Sequence, residues 1–344
     1  MLLTNPKING STTSVQAIIN GIPKTNPAQY LVHGTITIPT WTGIHGFSYH
    51  YQGIAPYNGS GGPTIANGCI SASSTSGYFS GFSQAQGSNP TVKSVVIPNS
   101  SYYHLAGIQM LGDVLAAPLE GEDVNAYVAF YNVGNLAAPV FLYNLDMPGK
   151  KASAVGICTY KDSSGVETAM LVVYEYDHRY MYIYTAPAGA IGGTSSPWTL
   201  QTTYQGTALQ GDQFQCFSLV TQSNSSGDVV YLAGFREDEE LHLYTVNTVS
   251  GSSFGNLTAV QVWTGWGGSD WRNGVGLQIA SSTVLRIFGT EEDPNGNPAG
   301  NTSNYTSTSS CGVDASVHLR DVKKSICRTS RATPQRDLTV HLLR

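Results

Sequence analysis

Charged side chains are scarce in this sequence. Asp, Glu, Lys and Arg make up 11% of the 344 residues, against about 25% in an average soluble domain. The formal net charge is −5, and no basic stripe runs along the first 310 residues. Because a phosphate backbone is bound by clusters of Lys and Arg, this distribution argues against nucleic acid as a partner.

Long apolar runs and paired cysteines are also missing. No stretch reaches the roughly 18 apolar residues that could span a bilayer, and residues Met1 to Lys7 lack the apolar core of a secretory signal. The five cysteines are widely spaced and form no C-x-x-C pair, so no disulfide framework, zinc motif or redox motif is indicated. We therefore expect a soluble chain that is cytoplasmic, or secreted and already trimmed.

The glycosylation motifs do not decide between a cytoplasmic and a secreted protein. An N-x-S/T sequon would fit a secreted glycoprotein. Because Ser and Thr are abundant, several such sequons arise by chance. The seven sequons lie at Asn9, Asn58, Asn99, Asn224, Asn256, Asn301 and Asn304.

Turn-forming and β-favouring residues are plentiful instead. The chain has 38 glycines and 20 tyrosines, and 41% of its residues are hydrophobic, which is enough to fill a core. Glycine supports tight turns, and aromatic and β-branched residues favour pleated strands. No segment of about 10 to 12 residues has helical periodicity, so the composition predicts an all-β fold with little helix.

A faint internal repeat organises the chain. A small residue followed by Ile or Leu recurs with spacings of 54, 49, 62 and 58 residues. These anchors are Gly53-Ile54, Gly107-Ile108, Gly156-Ile157, Ser218-Leu219 and Gly276-Leu277. Such spacings suit a four-stranded propeller blade with its turns.

Apolar or alternating segments follow each anchor. Second strands are predicted at 69–72, 114–118, 169–174, 229–235 and 284–289. Third strands are predicted at 127–131, 180–184 and 241–245, and fourth strands at 140–143, 199–203 and 260–263. The pattern predicts a five-bladed β-propeller, with a six-bladed propeller as the alternative.

The two ends of the chain differ from the repeat. The alternating run from Leu31 to Ile38 is placed to close the ring, so residues 1–40 are interpreted as an N-terminal arm and closing strand and residues 41–319 as the propeller. Seven of the 17 basic residues fall within 320–344. This segment is interpreted as a basic tail outside the propeller, either ordered or disordered, rather than a nucleic-acid arm.

One stretch resembles a known group. His104-Leu-Ala-Gly-Ile-Gln109, followed by Gly112-Asp113 and Pro118-Leu-Glu120, is similar to the H-P-G-G-I-Q…G-D…P-x-E pattern of uncharacterised microbial propeller-like proteins. The resemblance covers roughly residues 45–295 and departs from the pattern at Leu105 and Ala106. It implies the propeller fold and no particular activity.

Polar residues stand three positions before every anchor. These residues are His50, His104, Ser153, Gln215 and Asn273. If each anchor lies in the innermost strand of its blade, they ring the mouth of the central channel. Turns between second and third strands lie on the same face of a propeller, and they carry charged, mostly acidic residues. The turn residues are Glu120, Glu122, Glu175, Asp177, the segment 236–240 and the segment 291–293.

The ring, the rim and their neighbours define the predicted binding residues. The set is His50, Gln52, His104, Gln109, Glu120, Ser153, Glu175, Gln215, Arg236, Arg272, Asn273 and Glu291. The ring also has a purely structural interpretation, in which polar groups solvate the strand ends.

No cofactor or metal is predicted. Two histidines on adjacent blades could hold a metal, but no third ligand stands at a recognisable spacing. Asp293-Pro-Asn-Gly-Asn297 imitates half of a calcium loop, yet position six is Pro298 and the distal Glu is missing. The segment is therefore interpreted as a turn.

Two functions remain open. The first is a lectin-like protein that binds a carbohydrate or small polar molecule at the channel mouth, since amide, hydroxyl and imidazole groups both donate and accept hydrogen bonds. The second is an enzyme, a hydrolase, lyase or cyclase, in which His50 and His104 act as acid and base. No ring position is Asp or Glu, which argues against two-carboxylate glycoside hydrolysis. The oligomeric state stays open.

Overall fold

A computed structural model of the chain describes most of its central part. The described residues are 6–22, 31–37, 50–59, 64–73, 78–83, 93–96, 102–121, 125–136, 138–162, 164–175, 180–205, 209, 213–236, 239–266, 274–290, 306–311 and 340–343. Nearly all of them lie in strands or in the turns between strands. The all-β fold class predicted from the sequence is confirmed.

Five antiparallel sheets follow one another along the chain. Sheet I comprises β3 (His50–Tyr57), β4 (Thr64–Ser73), β5 (Tyr78–Ser83) and β6 (Lys93–Val96). Sheet II comprises β7 (Tyr102–Leu105), β8 (Gln109–Leu111), β9 (Val114–Gly121), β10 (Asn125–Asn132) and β11 (Val140–Pro148). Sheet III comprises β12 (Ala154–Lys161), β13 (Glu167–Glu175), β14 (Tyr180–Pro187) and β15 (Thr199–Gln205), with a 3-10 turn at Ala188–Ala190.

The remaining sheets draw on both termini. Sheet IV comprises β16 (Phe214–Asn224), β17 (Gly227–Arg236), β18 (Leu241–Val246) and β19 (Leu257–Trp263), and β1 (Ile8–Asn9) joins it. Sheet V comprises β20 (Val275–Ser281), β21 (Val284–Thr290) and β23 (Val340–Leu343). A separate two-stranded sheet pairs β2 (Leu31–Thr37) with β22 (Thr306–Cys311).

Each second, third and fourth strand predicted from the sequence falls inside an observed strand. In sheets II to IV, chain order is also the order across the sheet, from the first strand to the outer fourth strand. The sequence did not reveal β5, β6 or the division of the first strand of sheet II into β7 and β8. These four strands are only three to six residues long, too short to show the alternation that marks a strand.

The apolar core lies between successive sheets. One cluster joins sheets I and II, a second joins II and III, a third joins III and IV, and the fourth joins IV, V and Ile54 of sheet I. The middle strands are covered on both faces, which is why β13 has seven buried residues in a row, Ala169 to Glu175. Outer strands such as β11 instead alternate between buried and exposed positions.

The first strands of the five sheets contact one another in turn. β3 contacts β8 and β20, β12 contacts β8 and β16, and β16 contacts β20. The small anchor residues allow this approach. A Cβ atom on Gly276 would lie 1.8 Å from the Ile54 carbonyl oxygen, and one on Gly107 would lie 3.0 Å from the Cys216 Cα. The repeat seen in the sequence is therefore a packing requirement of the strands that meet at the centre.

Hydrogen bonds also link these first strands near Gly107. The Gly107 carbonyl accepts a hydrogen bond from the Val155 backbone N–H at 3.1 Å. The Cys216 thiol donates to the Gln52 carbonyl at 3.2 Å and accepts from the Val275 N–H at 3.2 Å. All five sheets therefore meet around Gly107 and Cys216.

The N-terminal segment, residues 6–22, packs against sheets III to V. Strand β1 runs parallel to the end of β16, and helix α1 (Val15–Asn20) is capped by the Ser14 side chain, which accepts a hydrogen bond from Ala17 N. Val15, Ile18 and Ile19 enter the core cluster between sheets IV and V. The sequence predicts only an arm for this segment.

The other strands from the two ends of the chain are also paired. The predicted closing strand corresponds to β2, which pairs with β22. Within the segment interpreted as a tail, Val340–Leu343 pairs with β21 of sheet V. The domain boundaries at residues 40 and 320 stay predictions.

Two further features bear on the expectations from composition. Among the described residues, no helix has the length and apolarity needed to cross a membrane. Three cysteines, Cys69, Cys158 and Cys216, are buried free thiols. Burial raises the pKa of Cys158 and of Cys216 to about 12, so neither thiol supplies a nucleophilic thiolate near neutral pH.

Candidate functional site

The ring positions predicted from the sequence stand where first strands begin. His50 is the first residue of β3, His104 lies in β7, Ser153 directly precedes β12, and Gln215 is the second residue of β16. Gln215 occupies a β-bulge, because Phe214 and Cys216 pair with consecutive residues of β17. A bulge redirects a side chain relative to the regular strand.

One carboxylate joins two of these positions. Glu120 Oε1 lies 2.6 Å from His104 Nδ1, and Glu120 Oε2 accepts a hydrogen bond from Ser153 Oγ at 3.2 Å. His104 and Glu120 face each other in the ladder between β7 and β9, whereas Ser153 belongs to sheet III. The His104 and Glu120 side chains keep 27% and 15% of their surface exposed, whereas Ser153 beside them is buried.

Gln109 has a different environment. Its Oε1 accepts hydrogen bonds from Ile157 N at 2.7 Å and from Leu219 N at 2.9 Å, and its Nε2 donates to the Leu219 carbonyl at 2.9 Å. The side chain is buried and joins sheets II, III and IV at the centre. Three of the four hydrogen bonds that an amide can make are used within the protein, which identifies Gln109 as a packing residue. Gln52 is also buried.

Glu175 lies in a second polar cluster, on sheet III. It accepts a hydrogen bond from the Tyr182 hydroxyl at 2.6 Å, and the Lys150 ammonium lies 4.8 Å from the centre of the Tyr182 ring. Burial, together with the bond to Glu175, raises the pKa of Tyr182 well above its usual range. The phenol therefore stays protonated and acts as a donor to the buried carboxylate.

Arg236 lies in a third cluster, on sheet IV. Its Nη1 lies 2.8 Å from Glu240 Oε2, and the same oxygen lies 2.8 Å from His242 Nε2. The other ring nitrogen, His242 Nδ1, is 3.3 Å from the Tyr244 hydroxyl. Arg236 is thus held in an ion pair across the turn between β17 and β18.

Several predicted site residues lie outside the described part of the structure. They are Glu122, Asp177, Arg272, Asn273 and Glu291, together with the side chain of His50. Among the described residues, no group of three or more His, Cys, Asp and Glu side chains is arranged to hold a metal ion.

The sequence analysis places Glu240 in the rim segment 236–240 but does not predict Tyr182 or His242 as site residues. The spacing of polar residues could have indicated them, because residues two apart in a strand lie on the same side of it. Glu240, His242 and Tyr244 follow this spacing, as do Tyr180 and Tyr182. Lys150 could not be found this way, since it reaches Tyr182 from the end of another sheet.

No protein-family model matches the chain, and no curated protein matches it. A solved structure described as "YCF48 bound to D1 peptide" is similar to this chain with 12% sequence identity and a TM-score of 0.29. The match covers 78% of this chain and 81% of that chain. A likeness of this size carries no inference about fold, ligand or partner.

Proposed function

We propose that this protein is a five-bladed β-propeller that binds a carbohydrate or other small polar ligand on the face where its first strands begin. Five consecutive sheets, apolar clusters between neighbouring sheets and contacts between successive first strands support the architecture. The proposed site lies at the junction of sheets II and III. The family resemblance of the His104–Gln109 stretch fits this proposal.

One observation carries the ligand-binding proposal. Glu120 contacts the side chains of His104 and Ser153, which belong to different sheets, and His104 and Glu120 are partly exposed. An imidazole, a carboxylate and a hydroxyl at one place can donate to and accept from the hydroxyl groups of a sugar. Because the three groups are positioned before the ligand arrives, little side-chain entropy is lost on binding.

Calorimetry with a panel of common saccharides tests the proposal, after a glycan array has selected the panel. We expect Glu120→Gln and Ser153→Ala to weaken binding of any positive saccharide by about tenfold or more. The first change removes the negative charge and one acceptor oxygen of Glu120, and the second removes the hydroxyl of Ser153. Asp146→Asn is the matched control, because Asp146 is an exposed carboxylate on the outer strand of sheet II. Blank titrations of the wild type at millimolar saccharide would refute the proposal.

The His104–Glu120 pair supports a second candidate, an enzyme of the hydrolase, lyase or cyclase class. A carboxylate beside an imidazole is an arrangement used in acid–base catalysis, and Glu120 Oε1 lies 2.6 Å from His104 Nδ1. In this case His104→Ala should lower turnover by about 100-fold or more. Turnover that survives both His104→Ala and His50→Ala would exclude the histidine mechanism.

A further inference from the structure

The outer strands of sheets II, III and IV differ in how their free edges are protected. An outer strand presents unpaired N–H and C=O groups, and folded proteins usually block such an edge with charges, proline, bulges or covering side chains. All three strands carry a bulge in the same place, so the bulge does not distinguish them.

Two of these edges have an additional block. Strand β11 carries Asp146 and ends at Pro148. Strand β19 is covered by the N-terminal helix, because Asn20 Oδ1 accepts hydrogen bonds from Gln261 Nε2 at 3.1 Å and from Trp263 Nε1 at 2.9 Å.

Strand β15 has neither device. Its sequence, TLQTTYQ, contains no charge and no proline, and most of its residues are exposed. Within the described part of the chain, β15 pairs only with β14, and one weak contact reaches its edge, from Gln201 Nε2 to the Thr199 carbonyl at 3.4 Å. Leu200 exposes 41% of its surface beside this edge.

The charge pattern indicates what kind of strand this edge accepts. No Asp, Glu, Lys or Arg lies between Arg179 and Asp212. Two copies of this region brought together about a two-fold axis therefore meet without like charges, whichever antiparallel register they adopt. Cross-strand Thr–Thr and aliphatic–aromatic pairs are favourable in such a ladder.

We propose that β15 is a self-association edge, at which two copies of this chain pair antiparallel and extend sheet III into a continuous sheet across the dimer. A two-fold contact of this kind is closed, because the same edge serves both partners. One strand on each side is smaller than the roughly 800 Å² per partner of stable complexes. The dimer is therefore expected to be weak and to form only as concentration rises.

Sedimentation velocity of the full chain between about 5 and about 500 µM tests this, a range chosen for an interface below the standard size. We expect the mass to rise from monomer towards dimer. Thr203→Lys/Gln205→Lys and Thr203→Glu/Gln205→Glu should each remain monomeric, because like charges then face each other across the axis. An equimolar mixture of the two variants should recover the dimer, which shows that both variants are folded.

Thr258→Lys/Ala259→Lys places the same charges on exposed positions of β19 and should dimerise like the wild type. A wild type that stays monomeric at the highest concentration would overturn the proposal. It would also be overturned by dimers that the β15 charges do not disrupt, or by a mixture of oppositely charged variants that stays monomeric.

Discussion

Each face of the molecule has a carboxylate that joins two sheets, and the two carboxylates are built differently. Glu120 joins sheets II and III through His104 and Ser153, and it is partly exposed. Asp228, at the turn of sheet IV, bonds to Lys7 Nζ at 2.8 Å, to Lys161 N at 2.8 Å and to Ser223 Oγ at 2.8 Å.

The two carboxylates differ in how exposed they are and in the residue that pairs with them. The Asp228 side chain keeps only 2% of its surface exposed, and its cation is a lysine that also bonds to Glu167 at 2.8 Å. The partner of Glu120 is a histidine of the same sheet, and both side chains are partly exposed. We infer that the Asp228 cluster fastens the N-terminal segment, whereas the Glu120 cluster retains the freedom to exchange partners with a ligand.

The largest loss of stability is expected at the centre of the molecule, where the first strands that lead to both faces meet. Gly276→Ala places a methyl group 1.8 Å from the Ile54 carbonyl oxygen, and backbone must move to accommodate it. We expect a loss of about 3 kcal/mol or more in the free energy of unfolding, measured by denaturant titration. Gly189→Ala is the control, since a Cβ there has no neighbour within 4 Å. Equal stability of the two variants would contradict the close approach of β3 and β20.

A smaller loss is expected on the face that holds the N-terminal segment. Asp228→Asn removes the charge that pairs with Lys7, and breaking a buried ion pair costs about 3 kcal/mol, less where water can reach the remaining ion. We expect a loss of about 2 kcal/mol, together with faster proteolysis within residues 6–22. A variant as stable as the wild type would show that the Lys7–Asp228 pair does not fasten this segment.

The same pair predicts a dependence of stability on pH. Burial raises the pKa of Asp228, but bonds from Lys7, Lys161 and Ser223 outweigh burial and hold this pKa below its usual range. A group with a lowered folded-state pKa stabilises the protein above its unfolded value, about pH 4, and this contribution is lost as pH falls through the folded-state pKa.

The difference in unfolding free energy between wild type and Asp228→Asn should therefore shrink below about pH 4. Burial lowers the pKa of Lys7, but its bonds to Asp228 and Glu167 outweigh burial and raise it, so the contribution of Lys7 is lost only in strongly alkaline solution. Denaturant titrations from acid to neutral pH measure the effect. A constant difference down to about pH 2.5 would mean that Asp228 has an ordinary pKa.

The smallest effect on stability is expected at the proposed binding site. Glu120→Gln keeps the shape of the side chain, and the amide can still bond to Ser153, so we expect a change below about 1 kcal/mol. Thermal unfolding at neutral pH compares this variant with Asp228→Asn. A larger loss than in Asp228→Asn would reverse the comparison and assign the structural role to Glu120.

The strands could be predicted because their residues repeat at fixed distances from a small anchor. The reason why the anchor residues are small could not be predicted from the sequence, since only the structure shows that Gly276 faces the Ile54 backbone. His104 and Ser153 were found by their position before the anchors. Their meeting at Glu120 depends on the register between β7 and β9, which one sequence does not specify.

Other contacts were beyond prediction for the same reason. Gln109 was selected as a ligand-binding residue, but the direction of its side chain at the centre places its amide against backbone of sheets III and IV. Lys7 reaches Asp228 across 221 positions of the chain. Neither residue lies in a local sequence pattern that predicts such a partner.

The meeting of all five sheets around Gly107 and Cys216 has a consequence for how the molecule unfolds. Gly107 contacts sheets III and IV, and Cys216 contacts sheets I and V. Losing any one of the five first strands would therefore remove contacts from its neighbours. We expect the five sheets to unfold in one cooperative transition rather than one after another.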